Sequence, residues 1–276
     1  MTKPYGRTVF LGGGRITAAL LCGLRLARYG APIVVHDRNA HKLRALKKEF
    51  RIQAEADLLR AVQGAGLLIL AVRPAHVAYV LEEVRRRQPQ APSAKGETSV
   101  LACSLAAGIP LARLQKLAPQ FLWARAMPSP VARSGNGLTA VAFARGFPRR
   151  GRTLVRDFFE NFSTVVEVPE RRFDAFTVTY SPSHGYHALA VLSAAGEKLG
   201  LSRQTAFTAA AHALADAIHA WREGEESLEA LLHEAATPGG TAAAVMQAMD
   251  SAGYAQMVQR GLRAGVCRAR ANARLR

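Results

Sequence analysis

The sequence predicts an α/β protein, with an N-terminal doubly wound sheet over residues 1–169 and an all-helical domain over residues 170–276. Three observations predict it. An apolar run, Thr8 to Leu11, breaks into Gly12-Gly13-Gly14 and passes directly into a helical pattern at Ile16, Ala19, Leu20 and Leu24. Apolar strand-like runs then alternate with amphipathic stretches as far as Val168, the order of a sheet wound with helices. Beyond Pro169 the strand signals stop and alanine- and leucine-rich helical stretches take over.

The opening strand, glycine turn and helix have the form that holds a pyrophosphate, as in a Rossmann-type fold. Gly12 permits the sharp turn, and Gly14 lets the backbone approach a ligand. The helix start at Arg15 and Ile16 offers N–H groups and a partial positive charge to phosphates. The third glycine of the G-x-G-x-x-G pattern is Thr17 here, which predicts slightly looser packing of helix on strand. Pro32 to Val35 is a second strand, ending at His36-Asp37-Arg38. Asp37 lies 25 residues after Gly12, close to where a dinucleotide fold sets an acid against the adenosine ribose, whereas an arginine there suits a 2′-phosphate. Asp37 favours NAD and Arg38 favours NADP, and the sequence leaves that choice open.

Ala40 to Phe50 and Ala56 to Gln63 read as helices. Leu67 to Val72 is an uninterrupted apolar run, as expected of a strand buried on both faces of a parallel sheet. It ends at Arg73-Pro74, where proline cannot donate to a ladder. Ligands of open α/β sheets lie beyond the carboxyl ends of the strands, so Val72, Arg73 and Pro74 face the same crevice as the glycine turn. Val100 to Leu105 is a further strand leading into Ala106-Ala107-Gly108, and Phe121 to Ala126 another, ending at Met127-Pro128-Ser129-Pro130. Leu138 to Phe143 and Thr164 to Val168 extend the sheet, with a helix from Arg152 to Asn161 between them.

In the C-terminal part, Phe173–Thr179, Gly185–Leu199, Ser202–Arg222, Ser227–Ala235, Thr241–Ala252 and Tyr254–Ala273 read as helices. Pro238-Gly239-Gly240 is a connector between two of them. Its small residues also suit the approach of a helix start, led by Thr241, to a ligand. Long alanine-rich helices with apolar stripes bury against a second copy, so a homodimer or higher homo-oligomer is expected.

Composition narrows the classes. The chain has 276 residues, enough for two modest domains. No apolar run approaches the roughly 20 residues of a membrane span, and the N-terminus has no signal-peptide pattern. Three scattered cysteines (Cys22, Cys103, Cys267) suit a reduced, cytoplasmic protein without a disulfide frame. Net charge is +17, from 37 basic against 20 acidic residues. The arginine runs lack the aromatic interleaving of a single-strand binder. A positive field drawing in an anionic cofactor and a carboxylate substrate is the expected consequence, with nucleic acid not expected as a partner. His184 and His187 share a helical face but lack acid or thiol partners at metal-ligand spacing, so no metal is expected.

Taken in order, five segments resemble the pyrroline-5-carboxylate reductase family. They are Gly12 to Thr17, Ala71-Val72-Arg73-Pro74, Ser104-Leu105-Ala106-Ala107-Gly108, Arg125-Ala126-Met127-Pro128 and Pro238-Gly239-Gly240-Thr241. The resemblance implies reduction of a cyclic imine by NADPH or NADH to form proline. It sets Ala71, Ser104 and Ala106 beside the cofactor with Gly12, Gly14, Arg15, Ile16, Asp37, Arg38, Val72, Arg73 and Pro74. It sets Met127, Ser129, Ser183 and Gly240 around the substrate.

The departures fall on the substrate side. The family's glycine-serine-glycine-proline-alanine-tyrosine segment is Ser181-Pro182-Ser183-His184-Gly185-Tyr186 here, and its asparagine after Met127-Pro128 is Ser129. Thr241 is followed by Ala242 where a second hydroxyl is usual. The chemistry needs a positioned imine carbon and a proton for the imine nitrogen. His184 is the candidate acid, with Tyr186 and Thr241 beside it. The departures leave two other readings open: an imine other than the proline precursor, and a dinucleotide-binding relative without turnover that acts as a sensor or partner protein.

Overall fold

The computed structural model describes residues 6–87 and 100–275. In chain order the first unit holds β1 (Arg7–Leu11), α1 (Arg15–Leu26), β2 (Ile33–His36), α2 (Ala40–Phe50), β3 (Gln53–Glu55), α3 (Leu58–Val62) and β4 (Ala65–Leu70). It continues through α4 (Val77–Arg87), β5 (Leu101–Ser104), α5 (Leu111–Leu117), β6 (Leu122–Pro128), β7 (Gly137–Phe143), α6 (Arg149–Glu160), β8 (Ser163–Glu167) and α7 (Glu170–Thr179). The eight strands form one sheet in the order β3-β2-β1-β4-β5-β6-β7-β8. The direction of winding reverses between β1 and β4, which makes their carboxyl ends the place for a ligand.

Alternation explains the continuous apolar runs. On one face of the sheet Val9, Leu11, Leu68, Leu70, Ala102 and Trp123 pack under residues of α3, α4, α5 and α7. On the other, Phe10, Leu67, Ile69, Cys103 and Ala124 pack under α1, α2 and α6. Both faces are covered, so Val9 to Leu11 and Leu67 to Leu70 are apolar without a break rather than at every second position. Aromatic edges tighten the second face, where Phe158 stands nearly perpendicular to both Phe159 and Phe162.

All neighbouring strands pair parallel except β6 and β7, which pair antiparallel. The link between them is a single 3-10 turn, Pro130–Ser134. A connection of that length cannot cross back over the sheet, so the chain reverses instead. Two helices, α4 and α5, and the short edge strand β3 add to the elements expected from the sequence.

The second unit comprises Tyr180 to Arg263. It contains α8 (Ser183–Lys198), α9 (Arg203–Glu223), α10 (Leu228–Ala235), α11 (Thr241–Ser251) and the first part of α12 (Tyr254–Asn272). Helices α8 and α9 pack closely where Gly196 faces Ala206. Ser202 and Ser227 cap α9 and α10 by accepting from the N–H groups of Thr205 and Ala230.

Compact packing divides the chain elsewhere than the change from sheet to helix at 169/170. Helix α7 belongs to the first unit, as do residues from Ala264 onward. Phe173 of α7 is fully buried in the first core. The C-terminal return is held by Arg113, which donates to the carbonyl oxygens of Ala273 and Leu275. Asn272 Nδ2 also donates to Ala107 O at 3.2 Å. Gly108 is needed at this contact: its φ is +77° and a Cβ would lie 2.0 Å from Ala269 O. No helix among the described residues is long and apolar enough to cross a membrane.

Candidate functional site

The glycine turn begins where β1 ends. Gly12 has φ +110°, and a Cβ there would sit 2.6 Å from Ala71 O at the end of the next strand. Only glycine fits that backbone and that approach. Gly12 N donates to His36 O at 2.7 Å, tying the turn to the end of β2. Thr17, in place of the third glycine, is fully buried. Its hydroxyl donates to Gly12 O at 2.6 Å, so the larger side chain braces the turn.

Gly14 precedes α1, and no side chain caps that helix start. Nothing lies within 4 Å of where a Gly14 Cβ would be. The first turn of α1 carries no acid. Unclaimed N–H groups, the positive end of the helix and open space coincide here, and these residues fit a pyrophosphate.

The second strand end is organised by Asp37. Its Oδ2 accepts from Gly13 N at 2.8 Å and its Oδ1 from Asn39 N at 2.8 Å. Asn39 then caps α2, accepting from the N–H groups of His41 and Lys42. Arg38 projects beside α4, its guanidinium carbon 5.6 Å from the centre of the Tyr79 ring.

These elements enclose a crevice of about 910 Å³ within the first unit. Nine of the expected cofactor residues line it: Gly12, Gly14, Arg15, Ile16, Asp37, Arg38, Ala71, Val72 and Arg73. Pro74, Ser104 and Ala106 do not. Pro74 opens the 3-10 turn that leads into α4. Ser104 and Ala106 are buried, and Ser104 Oγ accepts from Ala106 N at 3.3 Å within its own turn. The crevice also takes Gly13, Lys42, Asp57, His76, Tyr79 and Glu83, which sequence reasoning missed. Tyr79 follows His76 by three places on the helical segment after Arg73-Pro74, and Lys42 lies in the first turn after Asn39. Position just beyond a strand end was the available signal.

The substrate-side residues divide between the units. Met127 and Ser129 close β6 in the first. Ser129 is buried, and its hydroxyl accepts from Val131 N at 3.3 Å, capping the 3-10 turn. Ser183, His184 and Tyr186 lie in the first turn of α8 in the second unit, with Ser181 Oγ 2.7 Å from Ser183 Oγ. The Tyr186 side chain is exposed. Gly240 stands immediately before α11, and Thr241 is its first residue.

A doubly wound sheet with a dinucleotide crevice at its switch point, followed by a helical unit, defines a class: an NAD(P)-dependent oxidoreductase. The comparisons narrow it. A family model described as pyrroline-5-carboxylate reductase dimerisation matches residues 170–272, and one described as NADP oxidoreductase, coenzyme F420-dependent, matches residues 7–93. Pyrroline-5-carboxylate reductase of Synechocystis is 28% identical over 92% of this chain and 93% of its own length. The solved structure of a pyrroline-5-carboxylate reductase from Coxiella burnetii superposes with a TM-score of 0.84 at 23% identity, covering 98% of this chain and 99% of that one. That of the Plasmodium falciparum enzyme with NADP bound gives 0.82 at 18% identity, covering 97% and 98%. Over nearly its whole length the chain is similar to pyrroline-5-carboxylate reductases.

Proposed function

We propose that the protein reduces pyrroline-5-carboxylate to proline at the expense of NADPH or NADH, as a cytoplasmic homodimer or higher homo-oligomer. The observation that carries the reading is the uncapped start of α1 over Gly14, with open space in front of it, in a chain whose relatives bear that enzyme name. The cofactor, when bound, supplies a hydride to the imine carbon. The first-turn N–H groups from Arg15 and Ile16 hold the pyrophosphate, and the end of β2 at Asp37 and Arg38 takes the adenosine ribose. Ala71, Val72 and Arg73 continue the cofactor wall, with Pro74 turning the chain away into α4 and Ser104 and Ala106 acting through the strand end they stiffen.

On the substrate side, we assign the carboxylate to N–H groups at the starts of α8 and α11, by way of Ser183 and Gly240. Met127 and Ser129 are substrate-side candidates at the end of β6 in the first unit. Reduction needs a proton on the imine nitrogen as the carbon accepts hydride. His184 donates that proton, and Tyr186 and Thr241 orient the ring. Ser129 keeps its hydroxyl on Val131 N–H, so it shapes the site rather than hydrogen-bonding substrate.

The test is loss of the reduced-nicotinamide absorbance with purified full-length protein and a panel of cyclic imines that includes pyrroline-5-carboxylate. Fastest turnover with pyrroline-5-carboxylate is expected. Faster turnover of another imine assigns a different substrate. Tight cofactor binding with no turnover across the panel overturns the catalytic reading in favour of a sensor or partner protein. His184→Ala lowers kcat by about 100-fold if His184 is the acid, and a near-normal rate removes it from the mechanism.

A further inference from the structure

The chain returns to the sheet at its end. Helix α12 starts in the second unit, but residues from Ala264 onward pack with the first. A Cβ on Gly265 would meet Val178 Cγ1 of α7 at 2.9 Å. One helical turn further on, Ala269 O sits against Gly108 with no room for a Cβ between them. Asn272 then donates to Ala107 O, and Arg113 of α5 donates to the carbonyl oxygens of Ala273 and Leu275. Arg113 thus sets a cation at the negative end of α12. Past α7, every one of these contacts grips the turn between β5 and α5 or the first part of α5.

That turn is held weakly by its own hydrogen bonds. Those from Ala106 N to Ser104 Oγ and from Ile109 N to Ala106 O are 3.3 and 3.4 Å long, beyond the usual range for an N–H donor. Ile109 fixes the downstream side in the core, and Glu170 Oε1 accepts from Leu111 N at 2.9 Å. Ala106, Ala107 and Gly108 carry almost no side chain and take their position from what presses on them. Upstream, Leu105 N donates to Leu70 O at 2.9 Å. Ala71, the next residue, lines the crevice with its carbonyl oxygen against Gly12. A backbone path therefore leads from the end of α12 to the crevice wall.

The sheet order β2-β1-β4-β5 separates the two halves of a dinucleotide. With the adenosine at the end of β2 and the pyrophosphate over Gly14, the nicotinamide half extends over the ends of β4 and β5. The C-terminal return bears on the β5 end. We propose that this return is a clamp for the nicotinamide half of the coenzyme, with Arg113 and Asn272 as positioning residues that hold Ala106 to Gly108 where the ring needs them. A misplacement of about 1 Å at this end costs hydride transfer steeply. The assignment rests on the dinucleotide part of the proposed function and is independent of the imine.

The experiment compares equilibrium binding of NADH and of ADP-ribose, the same molecule without its nicotinamide ring, to the full-length protein with no imine present. NADPH and ADP-ribose 2′-phosphate are run beside them as a second pair. In the double variant Arg113→Met/Asn272→Ala, binding of the ring-less probe should stay within about twofold while the intact coenzyme weakens about 10-fold. Each single change should give part of that loss, and Arg113→Lys, which keeps the cation, less than Arg113→Met. With an imine that is turned over, kcat should fall about 10-fold in the double variant. An unchanged ratio of coenzyme to ring-less affinity overturns the clamp. An equal weakening of both probes with a lower melting temperature also overturns it, and leaves the return as a structural tie. A native chain that binds none of the four probes removes the dinucleotide reading and the clamp with it, so the two failures are told apart without any turnover.

Discussion

In the first unit Phe10, Leu68, Ile69 and Trp123 are completely buried. In the second, α10 and α11 bury none of their residues, and Leu199, Ile218 and Trp221 are 87%, 58% and 48% exposed. A doubly wound sheet covers both of its own faces with the helices that connect its strands, so its core and its crevice are complete within one stretch of chain. Helices without a sheet have apolar stripes that no local neighbour covers. The difference extends to the candidate site. The candidate cofactor residues stand in a crevice with assigned hydrogen bonds, whereas Ser183, Tyr186 and Thr241 stand exposed at the starts of α8 and α11. A match to a dimerisation model over residues 170–272 is consistent with that exposure.

The largest expected effect strikes the element that belongs by sequence to the helices and by packing to the sheet. Arg125, only 2% exposed, pairs with Asp174 at 2.8 Å and Glu170 at 3.1 Å, and lies 4.4 Å from the centre of the Phe173 ring. Glu170 Oε1 also accepts from Leu111 N at 2.9 Å, tying α7 to α5. Arg125→Met strips a cation from two acids that are half-buried and should cost about 3 kcal/mol, read as a lower urea midpoint. An unchanged midpoint would show that α7 is held to the sheet by Phe173 alone.

Next comes a pair of glycines in one turn. Gly14→Asp meets no protein atom but places a carboxylate against the pyrophosphate. NADPH affinity should fall about 100-fold, near 2.7 kcal/mol, with the melting temperature unchanged. Gly12→Ala clashes with Ala71 O and should lower melting temperature and affinity together. If Gly14→Asp binds NADPH normally, the crevice is not the dinucleotide site.

How much of this was legible in the sequence follows the same division. The glycine turn, Asp37 and Arg73 announce themselves because a short motif at a strand end specifies backbone and ligand contact at once. The helix α4 carried its signal in the spacing of Val77, Val80, Leu81 and Val84. The strand β3 carried none: three residues at a sheet edge, none of them buried, have no periodicity to read. The reversal at β7 was encoded only in the shortness of the link through Pro130. Tyr79 reaches the crevice from a helix rather than from a motif. The partners of Arg125 lie 45 and 49 residues away, and no local pattern reports such a pairing. On the substrate side the sequence identifies helix starts but not what faces them, because that depends on packing beyond the segment itself.

A smaller effect should appear where the helical unit exposes its apolar side chains. Ile218→Asp puts a charge on an exposed position of α9, so the chain should fold as before. If that face packs on a second copy, the oligomer loses about 2 kcal/mol of association free energy per interface. Sedimentation velocity over a dilution series checks it. An oligomer that resists dilution as the native one does would place the interface elsewhere in the unit.

The smallest effect separates the two units by pH. Burial pushes the Cys103 thiol far above its usual range, and burial likewise raises the Tyr29 phenol, against a lowering by its hydrogen bond to Thr8. Both groups lie in the first unit. Each stays protonated in the folded chain at a pH where the unfolded chain releases its proton, so stability is fully present below the unfolded pKa and declines as pH rises above it. For Cys103 the decline starts near pH ~8.5, the range of a free thiol, and should reach about 1 kcal/mol by pH ~9.5. Urea midpoints measured across that range should fall for the native chain and fall less steeply for Cys103→Ala. In the folded protein a thiol reagent at mildly alkaline pH should label the exposed Cys267 and spare Cys103. Equal slopes for the two chains would mean that the first unit opens around β5 before the thiolate forms, and its core would then be no more closed to solvent than the helices that follow it.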